Sequence, residues 1–221
     1  MDLLHPDARG MSRNIRFIRR VFVPDEQERI IRARCPDSLL WSMWAAKEAA
    51  YKITSKIHPG VSSAPNLYRV SYDGETEETM TGQDGYAFGS VGTPCGTVVI
   101  KSLVNRDYVH CIGVDGTPAD IQAVVWDVDQ IIRDGKPAAD NESFFIREKA
   151  GKRLSAYLNA DPAEIDIRRR RRGASGLGPP RVFCRGRRAE IDISLSHDGR
   201  FAAYAFARSD LTGGAPACPA L

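Results

Sequence analysis

Trp41-Ser42-Met43-Trp44-Ala45-Ala46-Lys47-Glu48-Ala49-Ala50-Tyr51-Lys52-Ile53 is the stretch on which the reading of this chain turns. Its alanines, lysines and glutamate favour helix. With the helical period, Trp44, Glu48 and Lys52 fall on one stripe, and Trp41 projects between the last two. A Glu–Lys pair four residues apart is ordinarily a solvated surface pair. Here it shares its face with two tryptophans, the side expected to be covered. Burying a carboxylate and an ammonium beside indole is costly unless a metal, a ligand or the partner charge compensates. The stripe therefore reads either as a plain surface pair or as a site.

Working outward, Pro36-Asp37-Ser38 is a helix-opening signal and His58-Pro59-Gly60 a stop, so the helix runs through about Ile57. Upstream, Pro24-Asp25-Glu26 opens a helix to about Arg34, with acids near its positive end. A shorter helix is expected around Ser12 to Arg20. Downstream the pattern changes to strands at Tyr68–Tyr72, Gly96–Ile100 and Tyr108–Val114, with hairpins and loops over Asp73 to Gly96. Ile121–Ile132 and Glu142–Leu158 read as helices. Strands return at Ile165–Ile167, Arg181–Cys184 and Ile191–Ala207, before a tail expected to be disordered.

Helix followed by strands, twice over, prompts a search for a repeat. Trp44, Lys47, Glu48, Ala50 and Lys52 are matched at an offset of 100 by Phe144, Arg147, Glu148, Ala150 and Lys152. Ser102-Leu103 before Tyr108-Val109 resembles Ser194-Leu195 before Phe201-Ala202. The expectation is an α+β protein of two similar halves packed as a pseudo-dimer: residues 1–117, residues 118–210, and the tail 211–221.

Composition sets the outer bounds. The chain has 221 residues, 43% hydrophobic and 27% charged, which is ordinary globular usage and excludes collagen, coiled coil and wholesale disorder. No apolar run approaches the roughly 20 residues of a membrane helix, and Met1-Asp2-Leu3-Leu4-His5-Pro6-Asp7 lacks the apolar core of a signal peptide. Five scattered cysteines without a C-x-x-C fit reduced thiols in a cytoplasm. The net charge of +3 is too mild for a dedicated nucleic-acid binder. Locally the balance differs: Ile165 to Glu190 holds nine arginines against two acids, Asp166 and Glu190. Such a patch can bind nucleic-acid phosphates, can bind other anions, or can be a solvated loop; the shortage of interleaved aromatics argues against a stacking surface for nucleic acid.

A second informative stretch is Ser194-Leu195-Ser196-His197-Asp198-Gly199. Asp-Gly is a favoured hairpin turn, which puts Ser196 and His197 at a strand end. Three adjacent residues cannot converge as a Ser-His-Asp hydrolase triad requires.

Taken together, Trp44-x-x-Lys47-Glu48 with Lys52, the later Ser194-to-Asp198 run, and the upstream Phe17, Arg20, Val21, Phe22 and Glu26 resemble the 4'-phosphopantetheinyl transferase superfamily. The order of motifs resembles its holo-acyl-carrier-protein synthase branch; the length and duplication resemble its two-half enzymes. The resemblance implies transfer of phosphopantetheine from coenzyme A to a serine of an acyl- or peptidyl-carrier protein, with Mg²⁺. It implies Glu48 as metal ligand and Lys52 as a proton or charge relay. It implies His197, with Ser196 and Lys47, on coenzyme A, at a site between the halves. In the family the first strand carries Gly-x-Asp-Ile/Val-x-Asp/Glu, whose first acid binds metal. Here Asp2 matches the second acid, the first falling two residues before Met1, so Asp2 is the acid available to the metal. Gly113-Val114-Asp115 looks like the missing element but follows the glutamate helix, and reads as a hairpin. Two other functions remain open: a catalytically weakened relative that only holds coenzyme A or a carrier, and an arginine-rich nucleic-acid binder.

Overall fold

The computed structural model describes residues 1–74, 85–131, 138–171 and 177–209. The expected tail 211–221 lies outside them. The chain divides into two compact units, one of residues Met1–Gln122 and one beginning at Ala123.

The first unit opens with an extended segment in which Asp2 bridges Tyr108 in antiparallel fashion. Three helices follow: α1 (Ile15–Val21), α2 (Pro24–Arg32) and α3 (Pro36–Ile57). A four-stranded antiparallel sheet, in sequential order β1 (Arg69–Tyr72), β2 (Gly85–Thr93), β3 (Gly96–Val104) and β4 (Val109–Val114), packs against α3. Leu40, Met43, Ala46 and Ala50 present the fully buried face of α3 to Ile100, Val104 and Val109. This spacing of three and four is the apolar stripe of a helix lying on a sheet. The helix and sheet are also pinned by polar contacts: the Tyr72 hydroxyl donates to Ser42 O at 3.0 Å and lies 3.1 Å from Ser102 Oγ.

The second unit also sets a long helix on antiparallel strands, here in two three-stranded sheets. Strand β5 (Val125–Gln130) is followed by α4 (Ala138–Leu158), then β6 (Ile165–Arg171), β7 (Leu177–Cys184), β8 (Arg187–Arg188), β9 (Ile191–Asp198) and β10 (Phe201–Arg208). As in the first unit, the opening extended segment pairs antiparallel with the last strand, giving the order β5-β10-β9. A second sheet, β6-β7-β8, lies alongside, with β7 against β9. Ile146, Ala150 and Leu154 of α4 are buried among Ile167, Val182, Ile193 and Phe206. Ala50 and Ala150, which the repeat equates, are both completely buried.

Two expectations are corrected and two are refined. Over the described residues 121–131 the expected helix is absent: after a short 3-10 turn the chain becomes β5, because Trp126 and Val128 alternate with Asp127 and Asp129 at the strand period, and Ile132 lies outside the described residues. Within Asp73 to Gly96, expected as hairpins and loops, the nine-residue strand β2 forms one arm of a hairpin with β3. Its glycines signalled turns, but a Cβ on Gly89 would sit 2.2 Å from Ser71 O, so β1 comes too close for any side chain there. Gly113-Val114 ends β4, the expected third strand, which pairs antiparallel with β3 as a hairpin arm; a Cβ on Gly113 would meet Ile53 Cδ1 at 2.9 Å and Val98 Cγ1 at 3.1 Å. Finally, Cys95 is disulfide-bonded, while Cys35, Cys111 and Cys184 are free.

Gly113 thus sets the distance between α3 and β4. Gly113→Ala should lose about 1–3 kcal/mol of stability through overpacking. Gly151→Ala, in α4 with nothing within 4 Å of the new methyl, should gain about 0.5–1 kcal/mol. Urea unfolding of both variants checks the contrast, and equal effects would remove the spacer role.

Candidate functional site

The buried charge on α3 is Lys47. It is 2% exposed, and its Nζ donates to Glu26 Oε1 at 3.0 Å, Glu26 Oε2 at 2.7 Å and Pro65 O at 3.2 Å, and also to Tyr68 O. Glu26, equally buried, accepts in turn from Val23 N at 3.0 Å and Val70 N at 2.8 Å. One ion pair therefore ties together the start of α2, the middle of α3 and the approach to β1. Burial lowers the Lys47 pKa, with Glu26 opposing. Expected from the resemblance to touch coenzyme A, Lys47 is instead committed to four protein oxygens in the core.

The Trp44–Glu48–Lys52 stripe lies away from the core face, and its two ends differ. At the N-terminal end the first residues of the chain cover it. Trp41 Nε1 donates to Ala8 O at 2.8 Å, and Phe17 packs 5.9 Å from both Trp41 and Trp44. Asp37 holds that cover down by accepting from Gly10 N at 2.7 Å and Ser12 N at 2.8 Å. Beyond Trp44 the cover ends, leaving Glu48 and Lys52 half-buried. Among the described residues, the Glu48 carboxylate makes no hydrogen bond or ion pair. Its charge is felt by Tyr68, whose pKa is raised to about 12, chiefly by burial and then by Tyr51 and Glu48.

Lys52 has a neighbour that sequence reading missed. His110, on β4, is held down to about 3, first by burial and then by the like charges of the Met1 amine and Lys52. The Met1 amine donates to Val109 O at 2.7 Å. His110 thus lies where the Asp2 segment and the Lys52 turn of α3 both reach β4. Only its place in an apolar-alternating strand hinted at burial. Asp2 itself is 1% exposed and its Oδ1 accepts from Leu4 N at 3.0 Å.

The second unit carries the hairpin residues. His197 is half-exposed near the end of β9, with Nδ1 3.0 Å from Glu142 Oε2 at the start of α4. Ser196, its neighbour on the strand, points to the opposite sheet face by the two-residue alternation. The structure therefore separates the Ser196 and His197 side chains.

Glu48 and Asp2 offer the hard carboxylate oxygens that Mg²⁺ prefers. Among the described residues no group of three or more His, Cys, Asp or Glu side chains is assembled to hold a metal. The donor type fits a cation that takes its remaining ligands from substrate phosphates and water, as Mg²⁺ commonly does.

Residues 2–95 match the family model of the 4'-phosphopantetheinyl transferase superfamily. The resemblance read from the sequence is borne out over this stretch, which holds Asp2, the Phe17-to-Glu26 motif and the Trp44-to-Lys52 motif. The His197 hairpin lies outside the matched residues. No curated protein and no solved structure matches the chain.

Two outcomes follow. Lys47→Met strands the buried Glu26 charge and should cost about 3–5 kcal/mol, whereas Glu26→Gln/Lys47→Met should cost less than the single change. A denaturant double-mutant cycle measures the difference. For His110, the native state resists protonation while the unfolded chain titrates near 6.5, so stability falls as pH drops from about 6.5 toward about 3. Between pH 6.5 and 5 wild type should lose about 1.6 kcal/mol at this residue, and His110→Gln should flatten that part of the stability profile.

Proposed function

We propose that the chain transfers 4'-phosphopantetheine from coenzyme A to a serine hydroxyl of an apo acyl- or peptidyl-carrier protein, as a Mg²⁺-dependent enzyme of the holo-acyl-carrier-protein synthase type. The superfamily match supports the reaction class. The observation that carries the site is the contrast on α3: Lys47 is saturated by protein oxygens, while the adjacent Glu48 carboxylate is half-buried and uncommitted among the described residues.

In this reading the serine O–H bond breaks, its proton passing to solvent, and the serine oxygen forms a bond to the phosphorus bearing the pantetheine arm. The pyrophosphate P–O bond breaks, and the adenosine 3',5'-bisphosphate leaves with the electron pair. Glu48, with Asp2, would hold Mg²⁺, which when bound offsets pyrophosphate charge. Lys52, one turn beyond Glu48, places a cation where charge grows on the leaving phosphate, the kind of preorganised stabilisation that lowers barriers most. The neutral His110 beside it adds no charge of its own to that environment. His197 is assigned to a coenzyme A phosphate, its ring held from behind by Glu142.

The test is to incubate the protein with coenzyme A, Mg²⁺ and an apo carrier protein and to weigh the carrier. A gain of one phosphopantetheine is expected. Glu48→Gln should abolish transfer while unfolding stays within about 0.5 kcal/mol of wild type, the scale of a surface helix pair; transfer retained by that variant removes Glu48 from the metal. His197→Ala should raise the coenzyme A KM about tenfold, the worth of one charged hydrogen bond, and leave the carrier KM unchanged. Binding of coenzyme A without mass gain on any carrier would instead identify a relative that has kept the ligand and lost the chemistry.

A further inference from the structure

Tyr51 stands in the α3 motif and is half-buried, yet it belongs neither to the Glu26–Lys47 scaffold nor to the chemistry assigned above. A long side chain in a helix leans back toward the N-terminus, over the residues three and four before it. For Tyr51 these are Glu48 and Lys47. Residues three apart on a helix are also neighbours on its surface.

The ring is backed from one side. It meets the Tyr68 ring edge-on, with centroids 6.1 Å apart and planes at 89°. Tyr68 is itself fixed at both ends. It is 1% exposed, its hydroxyl donates to Ser62 O at 2.7 Å, and its carbonyl accepts from the buried Lys47. The scaffold that saturates Lys47 therefore also supports the Tyr51 ring. Burial, then Tyr51 and Glu48, make the Tyr68 hydroxyl harder to ionise, so both side chains end near it.

Those ring contacts leave the Tyr51 hydroxyl unused. Among the described residues it makes no hydrogen bond, just as the Glu48 carboxylate makes none. Tyr68 and Tyr72, in the same core cluster, both donate their hydroxyls to backbone oxygens. Packing at position 51 would be served equally by phenylalanine. The hydroxyl and the carboxylate three residues before it form a donor and an acceptor that the fold itself does not consume.

A carboxylate that ligates a metal commonly takes a further hydrogen bond that sets its orientation, and loss of that partner weakens metal binding. A hydroxyl suits the task, because it donates without bringing a positive charge against the cation. We infer that Tyr51 is a positioning residue for the metal site: its hydroxyl donates to Glu48 and fixes which carboxylate oxygen is presented to the cation. The inference rests on the assignment of Glu48 to Mg²⁺.

Mn²⁺ serves as the probe, since it suits the same carboxylate and water oxygens as Mg²⁺ and its free form is counted by electron paramagnetic resonance. Full-length wild type, Tyr51→Phe and Glu48→Gln are each titrated with Mn²⁺ in the presence of coenzyme A. Wild type should bind, Glu48→Gln should bind least, and Tyr51→Phe should bind about tenfold more weakly than wild type. Because phenylalanine keeps the edge contact with Tyr68, the unfolding midpoint of Tyr51→Phe should not move. The Mg²⁺ needed for half-maximal transfer to an apo acyl carrier protein should rise by a similar factor. A purely packing role would lower the midpoint and leave the Mn²⁺ constant alone, which overturns the inference. If Tyr51→Phe binds Mn²⁺ as wild type does while Glu48→Gln does not, the positioning role falls and Glu48 stands as the ligand. If Glu48→Gln binds like wild type, or wild type binds no Mn²⁺, the assignment of Glu48 fails and the role of Tyr51 fails with it.

Discussion

The Glu26–Lys47 ion pair is the constraint on which the first unit depends. Two opposite charges, each 2% exposed, can remain ionised in a core only when their lone pairs and protons are all used. That requirement is met by groups from separate pieces of chain: the backbone N–H groups of Val23 and Val70, and the carbonyls of Pro65 and Tyr68. Moving α2 against α3, or either against β1, would strand at least one of these groups. The pair contributes specificity of arrangement more than net stability, since a hydrophobic pair of similar volume would avoid the desolvation cost altogether.

Fixing α3 in this way fixes what stands on its other side. Successive helical residues are turned well around the axis, so when Lys47 points inward Glu48 is carried to the margin of the core. There the cover formed by Ala8 and Phe17 over the two tryptophans has ended. Gly113 lets β4 approach the same helix closely enough for Ile53 to pack on it, and this brings His110 into the field of Lys52. The adjacent Lys and Glu of one motif thus do different work: one holds the scaffold, and the other is presented by it.

Much of this was legible in the residues because local signals agreed with the fold. The Pro24 and Pro36 openings, the stop at His58 and the Asp198-Gly199 turn all depend on neighbours in sequence, and all stand within a residue or two of where they were read. The misreadings arose where distant chain decides. The Trp44–Glu48–Lys52 stripe read either as a surface pair or as a site; its cover comes from residues 8 to 17 and stops at Trp44, which leaves Glu48 at the margin and Lys47 inside. Gly89 and Gly113 resemble turn glycines until the strand or helix against them is known. For Glu26, sequence offered a favourable place near a helix start and a position in the upstream motif; its partnership with Lys47 spans twenty-one residues and has no periodic signature.

The two units show how one build can carry different charge chemistry. In α4 the residues that the repeat equates with Glu48 and Lys52 are Glu148 and Lys152, and these form an exposed ion pair at 2.6 Å. Arg147, in the place of Lys47, turns back to Ser143 on its own helix and, among the described residues, forms no buried pair with an upstream acid. Without that inward anchor, the second helix can keep its glutamate as an ordinary surface group. The acids of the opening strand differ in the same sense. Asp129 of β5 is neutralised by Lys149 at 2.9 Å, whereas the residue a hundred positions earlier is Ala49, so α3 brings no cation to that place. The two helices thus differ in one lysine drawn into the core of the first unit and in cations paired with acids in the second.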